Sequence, residues 1–120
     1  MTNPSASSID RRELLERVED DEELAREILA IFRSDVSSYR EALRVAVESK
    51  SQNEVRKSAH AFKGMLANLA ATTASTLAAS LEQLGKDGHT EQFAPAWDEF
   101  QRELDHLLRD VDSFLAGAGQ

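Results

Sequence analysis

The chain has 120 residues, 41% hydrophobic and 30% charged, which suits one compact domain with a modest core and leaves no room for a separate catalytic domain. Its formal charge of −8 argues against nucleic acid or an anionic membrane as a partner, because both call for a basic footprint. The lack of cysteine excludes disulfides and thiolate chemistry, no apolar run approaches the roughly 20 residues that span a bilayer, and the polar first residues do not resemble a signal peptide, so a cytoplasmic location is expected.

Two prolines, five glycines and the absence of any alternating β-branched run point to an all-α chain. Residues 1–8 are small and polar and are expected to form a disordered lead-in to a domain over 9–116, with 117–120 as a flexible tail. Asp10 and Glu13 form a capping-box pattern for a short helix whose apolar side is Leu14, Leu15 and Val18. The acidic run Glu19-Asp20-Asp21-Glu22-Glu23 suits the N-terminus of a second, long helix, where backbone N–H groups favour negative charge. Leu24, Ile28, Ile31, Phe32, Val36, Tyr39, Leu43 and Val47 give that helix its apolar stripe up to about Glu48. Ser34, Ser37 and Ser38 make its middle the expected place for a bend or an interruption.

Ser51 and Glu54 form the next capping box, opening a helix with the stripe Val55, Ala59, Phe62, Leu66 and Leu69. The periodicity lapses across Ala70 and Ala71, and Thr72 or Thr73 is expected to cap a further helix carrying Leu77, Leu81 and Leu84, which Gly85 and Gly88 end. Beyond that turn, Phe93, Trp97, Phe100, Leu104, Leu107, Val111 and Phe114 mark a last helix, with Pro95 in its first turn or at a kink. The expected fold is therefore an antiparallel up-down four-helix bundle with a short additional N-terminal helix. No second apolar face is left over in this reading, so a monomer is expected.

One histidine stands out. At about 100° per residue, His60 lies roughly 140° from the apolar stripe of its helix and points to solvent. Asn53, Arg56, Lys57, Gly64, Ala67 and Ala71 surround it on the outer face, and Lys63 lies at the edge. From Val55 to Ala71 the only charged side chains, Arg56, Lys57 and Lys63, are all positive. Gly64 sits one turn beyond His60 although Gly costs about 1 kcal/mol relative to Ala inside a helix, and it clears an approach to the ring. A neutral imidazole nitrogen is a competent nucleophile near neutral pH, and phosphoryl transfer asks little of a protein beyond positioning and charge stabilisation. An exposed histidine, a cleared approach and nearby cations fit that chemistry.

The segment Ala59-His60-Ala61-Phe62-Lys63-Gly64-Met65-Leu66-Ala67-Asn68-Leu69 resembles the signature of histidine-containing phosphotransfer (Hpt) domains, in which the phospho-accepting histidine is followed by an apolar residue, Lys and Gly. Asp20-Asp21-Glu22-Glu23-Leu24 upstream and Leu77-Ala78-Ala79-Ser80-Leu81-Glu82 downstream resemble the family's flanks, so that the likeness runs from about Ile9 to Leu115. The family often has Gly where this chain has Ala70, a larger apolar residue where it has Ala74, and smaller residues where it has Met65 and Leu66. The resemblance implies a phosphorelay carrier and not an enzyme. His60 would accept a phosphoryl group from a receiver aspartyl phosphate and pass it reversibly to another receiver aspartate. Lys63 would face the phosphate and Gly64 would give steric clearance. Asn53, Arg56, Lys57, Ala67, Asn68 and Ala71 would form the docking face for response-regulator receivers, one of them in a hybrid sensor kinase. No cofactor or metal is expected on this chain, the divalent metal belonging to the receiver.

His89, in a predicted turn, and His106, on a polar helix side, lack metal-ligand spacing and read as surface residues. Trp97 and the phenylalanines follow the helical stripe and read as core. Two other functions remain open: a phosphotransfer domain of a chemotaxis-type histidine kinase, and an adaptor that binds a receiver without being phosphorylated. An autonomous histidine kinase is disfavoured, because Ala61, Gly64 and Met65 replace the acid and the Thr-Pro of its dimerisation helix.

Overall fold

Asp10, Asp21 and Ser51 each accept a hydrogen bond from the backbone N–H three residues on and so start a helix. The structure, a computed structural model, describes residues 9–117; the expected lead-in over 1–8 and tail residues 118–120 lie outside the described residues. Helix α1 spans Arg11–Arg17, α2 Glu22–Glu48, α3 Gln52–Asn68, α4 Thr72–Asp87 and α5 Phe93–Ala116, with a 3-10 turn at Thr90–Gln92.

The links are about as short as helix ends permit. After α1, α2 and α3 the chain turns on a left-handed residue, Glu19 (φ 55°), Lys50 (φ 56°) and Ala70 (φ 58°), and the next N–H bonds back to the carbonyl of Leu15, Ala46 and Leu66. Ser51 and Ala71 each complete one helix end and cap the next helix. Thr72 and Thr73 consequently do not cap α4, as the sequence suggests; they lie inside its first turn, and Ala71 offers no side-chain hydrogen bond. Likewise Glu19 and Asp20 (φ 64°) form the turn before α2, and only Asp21, Glu22 and Glu23 stand at its start.

Gly88 ends α4 at φ 76°, whereas Gly85 lies buried inside the helix. A Cβ on Gly85 would stand 2.8 Å from the Arg56 backbone nitrogen and 3.0 Å from the Gln52 carbonyl oxygen, so this glycine permits a close α3–α4 crossing.

Cross-helix contacts give the direction of each pair. Ser75 bonds the Lys63 carbonyl, Glu82 meets His60, and Gly85 meets Arg56, so α3 and α4 run antiparallel. Arg33–Asp112 and Arg40–Asp105 pair α2 with α5 in the same opposed sense. These ties, with Phe32 and Val36 buried beneath, keep α2 continuous through its serines; packing outweighs the propensity loss that predicts a break.

Val55, Ala59, Phe62, Leu66 and Leu69 of α3 are all buried, as their spacing predicts. Phe62 meets Phe100 of α5 edge-on at 4.9 Å and Tyr39 of α2 at 5.7 Å, which fixes the rotation of α3 about its axis. Trp97, Phe93 and Phe100 are core residues, and Phe114 is half-buried under the Arg11 guanidinium. In α2 the expected stripe is offset. Ala25, Leu29 and Ala46 are buried instead, while Leu24 and Ile31 are 40% and 62% exposed. The premise for a monomer, that no apolar face is left over, therefore fails on α2.

Candidate functional site

With its buried stripe against the bundle, α3 presents His60 outward, two-thirds exposed at the side chain. Nδ1 of His60 lies 2.9 Å from Oε2 of Glu82, and the other oxygen of that carboxylate, Oε1, lies 2.7 Å from Nζ of Lys63. One carboxylate on α4 thus binds both α3 side chains. Lys63 above all holds Glu82 below the usual carboxylate range; burial opposes this and the His60 bond adds to it. An ionised carboxylate only accepts, so the proton of this bond sits on Nδ1 and the His60 Nε2 is left as the ring's open nitrogen. The tautomer follows from the partner. Nothing lies within 4 Å of the place a Cβ on Gly64 would take, so the space one turn beyond the ring is open.

On the opposite side of α3 a groove of about 550 Å³ runs along α2. Its walls include Ile28, Ile31, Asp35 and Tyr39 from α2 and Met65 and Asn68 from α3, and His60 and Gly64 also line it. A second hollow continues it past Tyr39 and Ala61 to Ala42 and Lys57. No third ligand-type side chain joins His60 and Glu82 in a group that could hold a metal ion among the described residues. No described helix is long and apolar enough to cross a membrane.

The family model of the Hpt domain matches residues 27–112. The chain belongs to the Hpt domain family. No curated protein and no solved structure matches it at a significant level. As an Hpt domain it has a histidine phosphotransfer role in the phosphorelays of two-component signalling, where such domains are phosphocarriers that work with receiver domains or kinases.

Within this Hpt domain the residues singled out from the sequence divide. His60, Lys63 and Gly64 come together on one face. Lys57 and Asn68 lie along the α2 side of α3, while Arg56 bonds Asn53 and backs onto Gly85 of α4. Ala67 is exposed, and its carbonyl takes a hydrogen bond from Arg17 of α1. Ala71 is fully buried and cannot belong to a docking face: the helical wheel extends past Asn68, where α3 ends and the backbone changes hand at Ala70.

Glu82 is the site residue that sequence reasoning misses; the charges from Val55 to Ala71 are all positive, and the acid beside them comes from α4. A wheel drawn for α3 contains no residue of α4. The available signal is symmetry: His60 and Glu82 are equidistant from Ala71, and residues equidistant from a tight link face each other in an antiparallel helix pair.

Proposed function

We propose that this Hpt domain carries a phosphoryl group on Nε2 of His60, taking it from the aspartyl phosphate of one receiver, in a hybrid sensor kinase, and passing it to the aspartate of another. The observation that carries this reading is the bond from His60 Nδ1 to Glu82 beside the open position at Gly64. With the proton on Nδ1, the Nε2 lone pair is free to attack phosphorus in line with the leaving oxygen. An N–P bond forms, the P–O bond to the receiver aspartate breaks, and the aspartate departs as a carboxylate. The ring keeps its Nδ1 proton and becomes cationic, a charge that Glu82 stabilises. Lys63, held on the same carboxylate, offsets the negative phosphoryl oxygens. The reverse step returns the ring to its neutral form. The receiver supplies the divalent cation, and this chain contributes the nucleophile, its orientation and the cleared approach.

The test is to mix the protein with a phospho-charged receiver and look for acid-labile, alkali-stable label. The wild type is expected to take up label and His60→Gln to take up none. Undiminished labelling of His60→Gln would sink the assignment. Label arriving from a kinase and ATP, but from no receiver, would favour a chemotaxis-type phosphotransfer domain, and no label from either would favour the adaptor.

A further inference from the structure

Ile31 is the most exposed large apolar residue among the described residues, at 62%, and it stands in the wall of the α2–α3 groove. Ile28, Ile31, Asp35 and Tyr39 follow one another along that wall at helical spacing, so a carboxylate interrupts an otherwise apolar rim. Of the acids on α2, Glu22 pairs with Arg26 and Glu41 and Glu48 pair with Arg44, whereas Glu23, Glu27 and Asp35 do not, and of these only Asp35 lines the groove. Asp35 makes no ion pair among the described residues. The positions one turn from it on α2, Ile31, Phe32, Ser38 and Tyr39, carry no cation. Across the groove Ala61, Gly64, Met65 and Asn68 carry none either, His60 and Lys63 both being held by Glu82 and Lys57 lying near Glu54.

We infer that Asp35 selects the partner: a receiver docking for transfer seats an apolar patch on Ile31 and Met65 and brings a lysine or arginine to the Asp35 carboxylate. The inference rests on the reading of His60 as phospho-acceptor, because the groove shares its lining with His60 and Gly64, and a receiver delivering phosphate there must cover both. Covering an apolar rim of this kind is favourable. Covering an unpaired carboxylate is not, since its lost hydration must be replaced by an opposite charge. A receiver with an acidic or purely apolar contact at that point is therefore rejected, and the discrimination comes from an unfavourable term as much as from a favourable one.

The test uses the full chain and, as probe, the phospho-charged receiver domain that labels the wild type fastest. Asp35→Lys is expected to raise the KM for this receiver by about tenfold or more and Asp35→Asn by about threefold, with kcat at saturation kept and Asp35→Glu close to wild type. The wild-type rate below saturation should fall with added salt, and Asp35→Asn should flatten that dependence. An unchanged KM in Asp35→Lys, a tighter KM, or a loss confined to kcat would overturn the inference. So would concentration-dependent self-association of the wild type that Asp35→Lys abolishes, which would make the groove a contact between copies. Absence of label on the wild type from every receiver is a different result: it removes the reading of His60 itself.

Discussion

Gly85 of α4 approaches Arg56 of α3 so closely that a Cβ would lie 2.8 Å from the Arg56 backbone nitrogen, and this crossing stands less than one turn from Glu82. The contact is with backbone, which cannot swing aside. Gly85→Ala should therefore cost about 1–3 kcal/mol of stability, the range for overpacked sites, despite the better helix propensity of alanine. Urea denaturation measures it. Because the helices must part near Glu82, the variant should also transfer phosphate more slowly while fully folded; wild-type stability and rate would show that the crossing is soft.

Gly64 is the opposite case. With open space around it, Gly64→Ala should raise stability by up to about 1 kcal/mol, since only the helix propensity changes. Gly64→Phe should keep the helicity and melting of the wild type and block transfer from a receiver. Two glycines on neighbouring helices thus answer in opposite directions to the same substitution.

Glu82 adds a pH signature. Its folded-state carboxyl titrates below the ordinary value of 4.5, so the stability it contributes is fully present above about pH 4.5 and is lost as pH falls through the lower folded value. Glu82→Gln should be less stable than wild type at neutral pH, and the gap should close on acidification; thermal melts between pH 3 and 7, about the span in which the carboxylate titrates, measure it. Its phosphotransfer should slow by about tenfold, the worth of one charge-assisted hydrogen bond. Lys63→Ala should slow transfer to a similar extent, about tenfold, without abolishing it.

The left-handed links give a paired prediction. Lys50 is exposed at φ 56°, so Lys50→Gly should relieve about 1 kcal/mol of backbone strain and lose little packing. Ala70 holds a similar φ of 58° but is buried, so Ala70→Gly gives up a methyl worth about 0.8 kcal/mol and should come out near neutral. Denaturant midpoints of the two variants separate strain from burial.

Much of this was readable in the sequence because it is local. The Ser51 cap, the five-residue stripe of α3 and the outward turn of His60 all follow from spacing within one helix. What spacing could not supply is what a second helix brings. Glu82 enters from α4, Gly85 reads as a helix end until its neighbour is seen, and α2 buries Leu29 in the bundle core while Ile31 stays exposed. Ala71 fails for another reason: a wheel assumes constant handedness, and the chain reverses it at Ala70.

Helix α3 has two working edges. Toward α4 it shares Glu82 between His60 and Lys63; toward α2 it closes the groove that holds Ile31 and Asp35. Neither Glu82 nor Lys63 lines that groove, so on the inference drawn for Asp35, substitutions along the α2 wall re-address the domain to a different receiver while the chemistry proposed for His60 stays as it is. A gene copy could acquire a new correspondent by editing one helix. On these readings the Glu82 edge is bound by the reaction, and the Asp35 edge is free to drift with its audience.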